Sequence, residues 1–370
     1  MKTAQPWICS AKFDSAFILL PAIIITGLVV IFHGRFEALK DVPPWLWLLL
    51  IVGVDVSHVY STIFRTYLDR EELQKHQTLY VLAPLLAWVT GCLLYSLGSL
   101  IFWRVLAYLA VFHFIRQQYG FMMIYARKER DVPQYYRLID KAAIYLSTVY
   151  PLIYWHSHAR QFDWFIQGDF IVINAPVVNN VAAVLYVVAL SVYVLKEAKE
   201  WWRTGTLNVP KNLLLFGTAV SWFAGIVAFD SDLAFTATNV IAHGIPYLAL
   251  IWLYGYNQSD IQREKTSHVW SVIGKLFQWK AIPVYVAALF TIAFIEEGFW
   301  DGLIWREHGT LFGLFSALPA IADTHTLVWL VPLLVLPQAT HYILDAFIWR
   351  LHTENTNWKQ ILFHQSARSS

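Results

Sequence analysis

Four histidines stand inside long apolar segments of this 370-residue sequence, each on a helical stripe of polar residues. In WLVPLLVLPQATHYILDAFIWR (329–350), Gln338, His341 and Asp345 recur at spacings of three and four, which places them on one helical face. The other three stripes are Asp55, His58, Thr62 and Arg65; His113, Arg116, Gln117 and Gly120; and Thr236, Asn239, His243 and Tyr247. Polar groups are costly to bury in hydrocarbon, so we interpret these stripes as functional candidates.

The four imidazoles are candidate metal ligands: His58, His113, His243 and His341. Neutral imidazole nitrogens suit iron, copper and zinc. Metal-bound histidines usually donate their second ring N–H to a carboxylate or a carbonyl. We therefore expect four residues to act as co-ligands or as partners of the ligands: Asp55, Asp345, Gln117 and Asn239. A histidine and an aspartate four residues apart on one helix cannot easily both be directed at the same imidazole face. We therefore expect Asp345 to accept a hydrogen bond from a histidine of a neighbouring helix.

Arg116, Tyr247 and Gln338 are candidates for substrate binding or charge pairing. Arg116 has two interpretations. It neutralises Asp55 or Asp345, because buried charges are normally paired, or it binds the carboxylate or phosphate of a lipidic substrate. The change Arg116→Gln separates these, since a folding defect supports the first and a substrate-selective defect supports the second.

The elements that position these residues are predicted to be transmembrane helices. The chain is 58% hydrophobic and 14% charged, with a mean hydropathy of +0.49, and apolar runs near 20 residues recur throughout. The runs lack the period-two alternation of barrel strands, so the fold class is an all-α polytopic bundle in a single domain, 1–370. Ten spans are predicted: 15–33, 43–63, 78–97, 99–126, 138–156, 176–196, 211–229, 232–255, 282–299 and 326–349.

The distribution of positive charge predicts the orientation of these spans. With both termini in the cytoplasm, the inner segments hold 21 of the 27 lysines and arginines and the outer segments hold five. All four histidine-bearing spans then run from outside to inside, and their histidines lie within roughly 6 Å of one another in depth. The sequence thus predicts an integral protein of the inner (cytoplasmic) membrane, with its N-terminal apolar run retained as the first span.

The composition narrows the function. A net charge of +2 gives no basis for nucleic-acid binding, and Cys9 and Cys92 form no zinc-type motif. The sequence lacks nucleophile motifs, phosphate-binding glycine loops and nucleotide fingerprints. Because the predicted site lies within the bilayer, we expect its substrate to be a lipophilic small molecule. Membrane lipids are expected to surround the protein, and an electron donor is a further candidate partner. We predict a metal-dependent oxidoreductase or oxygenase, with non-haem iron preferred to haem b.

A family resemblance is consistent with this prediction. The segments DVSH (55–58) and AHGIP (242–246) belong to a set of membrane helices that each supply one histidine. In architecture and ligand type the chain resembles the retinal-forming carotene dioxygenases of bacteria and archaea. The resemblance implies a polytopic all-helical fold and a non-haem iron whose ligands match His58, His113, His243 and His341.

Two alternatives come from other functional classes. Histidines facing each other on two helix pairs are typical of a b-type haem protein for electron transfer or sensing. Buried His, Asp and Arg residues also occur in proton- or ion-coupled transporters. The predicted polar residues form one layer instead of a path across the membrane, which favours the metal enzyme.

Overall fold

The computed structural model describes residues 5–39, 42–129, 132–263, 273–349 and 357–363, and within them the chain is helical with no strand. The main helices are α1 (Ala11–Ile31), α2 (Pro44–Phe64), α3 (Gln77–Leu97), α4 (Ser99–Tyr125), α5 (Gln134–Ser157), α6 (Pro176–Thr204), α7 (Val209–Ala228), α8 (Asp232–Arg263), α9 (Trp279–Trp305), α10 (Thr324–Leu334) and α11 (Leu336–Ile348). Short helices cover His33–Ala38, Arg70–Lys75 and Asn357–Leu362. The predicted all-helical class is confirmed for these residues.

Eight of the described helices are long and apolar enough to cross a membrane, and α10 with α11 makes a ninth if this bent pair is one span. The ten predicted spans all coincide with helices, but α5 is not among the helices that are long and apolar enough to cross a membrane. Its first two turns carry Arg137, Asp140 and Lys141, which lower the apolar character of the helix. The predicted orientation stays a prediction, and the chain ends, 1–4 and 364–370, lie outside the described residues.

The chain divides into two compact units by its internal contacts. The first comprises Met1–Asp41, Val111–Pro246 and Phe363–Ser370, and the second comprises Val42–Ala110 and Tyr247–Leu362. Helices α4 and α8 each supply one half to each unit. The single predicted domain over 1–370 stays a prediction.

In the first unit, α6 packs along α5, and α7 packs on both α1 and α5. A buried ion network joins these helices. The ammonium of Lys211 lies 2.6 Å from Glu129 and 2.8 Å from Glu197, and Lys196 pairs with Asp140 and Glu197. Buried charges are tolerated when they are paired in this way.

In the second unit, α3 packs against α10 and α11, and α9 packs against α2. Helices α10 and α11 meet at a 44° bend. Pro337 accounts for the break, because its ring lacks the backbone N–H and clashes with the carbonyl four residues earlier. Pro246, by contrast, lies within α8, which continues through it.

Candidate metal centre

In the second unit, His58 of α2 and His341 of α11 form a buried ring pair. Their centroids lie 5.0 Å apart and their planes are 80° apart, and each residue is only 1% exposed. Tyr247 meets both rings edge to face, at 5.7 Å from His58 and 5.1 Å from His341. The imidazoles are therefore confined by aromatic packing.

Irregular helix geometry precedes both of these histidines. His58 follows a wide π-type stretch, Leu48–Val56, and precedes a tight 3₁₀ turn, Thr62–Phe64. His341 lies one turn beyond Pro337 and the bend. Wide turns inside α-helices occur frequently at functional sites, because they change the direction in which the following side chains point.

In the first unit, His113 of α4 and His243 of α8 form the corresponding pair. Their centroids are also 5.0 Å apart with an 80° angle between planes, and they are 6% and 1% exposed. Phe114 stacks on His243 with centroids 3.6 Å apart and planes 10° apart. This stacking fixes the plane of the His243 ring.

One ring nitrogen from each of these four buried histidines lies within 4.8 Å of the other three. Two nitrogens on opposite sides of an ion, each at about 2.1 Å, are about 4.2 Å apart. The four imidazole nitrogens are thus close to the spacing that binding to one shared transition-metal ion requires. The prediction that the four histidines converge is confirmed, and their role as ligands stays a prediction.

A chain of hydrogen bonds runs from His341 to Asp345 through two hydroxyl groups. The Thr62 hydroxyl lies 2.6 Å from Nδ1 of His341 and 2.9 Å from the phenol oxygen of Tyr247. The Tyr247 hydroxyl donates to Oδ1 of Asp345 over 2.5 Å. The chain links α2, α8 and α11 within one unit.

The two predicted carboxylate partners lie beside histidines of their own helices. Oδ1 of Asp55 is 3.6 Å from Nδ1 of His58, and Oδ1 of Asp345 is 3.9 Å from Nδ1 of His341. The expectation that Asp345 serves a neighbouring helix differs from this arrangement. The sequence argument considered direct contact alone, whereas Thr62 and Tyr247 bridge the gap within the structure.

Of the three predicted amide residues, Gln117 makes a hydrogen bond between helices, and Asn239 and Gln338 make hydrogen bonds within their own helices. Gln117 donates to the backbone carbonyl of His243 over 3.1 Å and so joins α4 to α8. Asn239 donates to the Phe235 carbonyl of its own helix, and Gln338 donates to the Tyr342 hydroxyl one turn later. Of these three amides, Gln117 is hydrogen-bonded to the backbone of a candidate metal ligand, His243. The roles of all three residues in the site stay predictions.

Arg116 lies on the exposed side of α4. Its guanidinium donates to the Tyr145 hydroxyl over 2.7 Å and lies over the Tyr119 ring at 5.3 Å. These contacts are with tyrosines of its own unit, and both interpretations of Arg116 stay predictions. Three residues turn a helix by about 300°, so the side chain of Arg116 leaves α4 about 60° away from that of His113. The Arg116 side chain is exposed at the helix surface.

No protein-family model matches the chain, and neither a curated protein nor a solved structure is significantly similar to it. Inferences about function therefore rest on the four histidines, their hydrogen-bond partners and the apolar helices that carry them.

Sequence reasoning assigned no role to two residues of the site, although it placed one of them, Thr62, on a polar stripe. Thr62 stands on the polar stripe of α2, one turn after His58, and that spacing was the available signal. Phe114 carried no signal, because one phenylalanine among many apolar neighbours is not distinguishable from a lipid-facing or core residue. Only the crossing of α4 and α8 in the first unit shows that its ring covers His243.

Proposed function

We propose that this chain is an integral membrane protein that binds one transition-metal ion through His58, His113, His243 and His341. The proximity of four buried imidazole nitrogens is the observation that carries the proposal. The helices that present them are apolar over lengths that suit a membrane. Such a set of neutral nitrogen donors is suited to iron, copper or zinc and poorly suited to Mg²⁺ or Ca²⁺, which prefer oxygen ligands.

Among these metals we propose non-haem iron in an oxidoreductase or oxygenase. Four histidines complete the tetrahedral shell of Zn²⁺, which makes a closed structural site. Iron accepts more ligands than four imidazoles, so an iron held by these histidines would still be able to support oxygen chemistry. When bound, the ion would supply oxygen activation, while the protein would hold the imidazoles and exclude water.

A haem is less compatible with this geometry. The porphyrin occupies four positions around its iron, which leaves two axial positions for protein ligands. Four histidine nitrogens within 4.8 Å of one another leave no room for the macrocycle between them. A bare ion accommodates all four.

The proposed substrate is a lipophilic molecule that reaches the site from the bilayer. Helix α6 illustrates the apolar surface available to lipid, with Val177, Val184 and Leu195 exposed by 74, 61 and 68%. The resemblance to carotene dioxygenases makes a carotenoid the first substrate to test, followed by fatty acyl chains, isoprenoids and quinones. Incorporation of both oxygen atoms would need no external electrons, whereas incorporation of one would need a two-electron donor.

The experiment is to purify the protein in detergent without oxygen, load it with Fe²⁺, and record its visible spectrum and its oxygen uptake with each lipid. We expect no Soret band and substrate-dependent oxygen consumption. A strong Soret band would replace the non-haem proposal with the haem alternative. Failure to bind iron, together with ion or proton movement in proteoliposomes, would favour a transporter.

A further inference from the structure

The directions of the hydrogen bonds around Thr62 can be deduced from the number of protons available. With Asp345 as a carboxylate, which can only accept, Tyr247 donates its one hydroxyl proton to Asp345. The phenol oxygen can therefore only accept from Thr62, 2.9 Å away. This contact uses the single hydroxyl proton of Thr62.

The remaining contact of the Thr62 hydroxyl must then be one in which it accepts. Its partner is Nδ1 of His341, at 2.6 Å. We infer that Nδ1 of His341 carries the ring proton and donates it to Thr62, so that Nε2 holds the lone pair that binds metal. Thr62 is a positioning residue in this arrangement, because it acts on the metal through His341.

The surroundings keep the Thr62 hydroxyl in place. Thr62 is 4% exposed and begins the tight turn Thr62–Phe64. Its carbonyl accepts from the Thr66 hydroxyl over 2.8 Å. A β-branched side chain has few accessible rotamers, so the hydroxyl is held ready for His341 before any ligand binds.

The inference rests on the proposed role of His341 as a metal ligand, but the tautomer itself can be measured without metal. The first experiment is solid-state NMR of metal-free protein labelled with ¹⁵N-histidine in lipid bilayers, with His341→Gln used to assign the signal. We expect the protonated nitrogen of His341 to be Nδ1. A proton on Nε2 would overturn the inference whatever the function of the protein.

The second experiment compares Thr62→Val, which removes the hydroxyl at nearly constant volume, with Thr62→Ser, which keeps it. The probe is Co²⁺ titrated into metal-depleted protein and followed by its visible d–d absorption. Loss of a partner of a ligand typically weakens metal binding by about 10–100-fold. We expect that loss and an altered spectrum for Thr62→Val, and near-normal behaviour for Thr62→Ser.

Thr26→Val is the matched control, because Thr26 is also buried and its hydroxyl donates within its own helix, to Ala22. If Thr62→Val fails to fold, Tyr247→Phe replaces it. That change removes the group that orients the Thr62 proton, so the Co²⁺ spectrum should change without loss of the Thr62 side chain. Normal Co²⁺ affinity and spectrum in both variants would overturn the positioning role, whereas absence of Co²⁺ binding in the unaltered protein would contradict the proposed function.

Discussion

The imidazole of His113 meets that of His243 edge to face at a centroid distance of 5.0 Å. His58 and His341 repeat the same distance and angle on a different pair of helices. In each pair an aromatic ring packs against an imidazole: Phe114 on His243, and Tyr247 on both His58 and His341. The rings are thus oriented by packing before a ligand binds, which reduces the ordering cost of metal binding.

Removal of the buried cation Lys211 should destabilise the first unit. Lys211 is 1% exposed and contacts Glu129, Glu197 and Asp140. Lys211→Met leaves these carboxylates with less compensation, so we expect a loss of about 3–5 kcal/mol in the free energy of unfolding. Thermal unfolding in detergent measures it.

The matched control is Lys199→Met on α6, which removes an exposed lysine and should change stability by less than about 0.5 kcal/mol. Equal stability of the two variants would show that the buried network does not hold the helices together.

A methyl group at Gly225 should separate α7 from α8. A Cβ there would lie 2.1 Å from the Thr238 hydroxyl oxygen, far closer than atoms in contact. Gly225→Ala should therefore cost about 1–3 kcal/mol, measured as a lower unfolding temperature. Gly120→Ala serves as control, because nothing lies within 4 Å of its added Cβ.

The double variant Gly225→Ala, Thr238→Ala should recover part of the lost stability, since it removes the atom that the new methyl group meets. An unchanged unfolding temperature for Gly225→Ala, or no recovery in the double variant, would contradict this close approach.

Arg116→Gln should leave folding and metal content unchanged, because Arg116 is exposed. If Arg116 binds the anionic group of a lipid, the variant should lose activity on anionic substrates and keep activity on uncharged ones. Tyr145→Phe is the control that removes the same hydrogen bond and keeps the charge. Unfolding of Arg116→Gln would show a structural role, and equal loss on both substrate types would exclude anion recognition.

Much of the fold could be predicted from the sequence, because solid apolar runs allow only helices. Helix α5 has the length of a span, but Arg137, Asp140 and Lys141 lower its apolar character. Pro337 lies at the 44° bend between α10 and α11, whereas α8 continues through Pro246. Local sequence cannot distinguish these two prolines.

The convergence of the four histidines was predictable from their helical stripes and common depth. The identity of their partners was not, because partners are set by which side chains meet across helices. Thr62 reaches His341 from a position 279 residues earlier in the chain, and Arg116 turns outward although it stands three residues from His113. The spacing along one helix predicts which residues share a face. Which contacts they make depends on how far each side chain extends towards the neighbouring helices.

Metal stoichiometry is the most direct test of the central proposal. Elemental analysis of the detergent-purified protein should find about one transition-metal ion per chain. Alanine variants are compared at the four proposed ligands: His58, His113, His243 and His341. Each should lose most of the ion, since each removes one nitrogen donor, whereas the control His158→Ala, at an exposed histidine, should retain it. Absence of metal from the unaltered protein, or full metal content in all four variants, would contradict the proposed metal site.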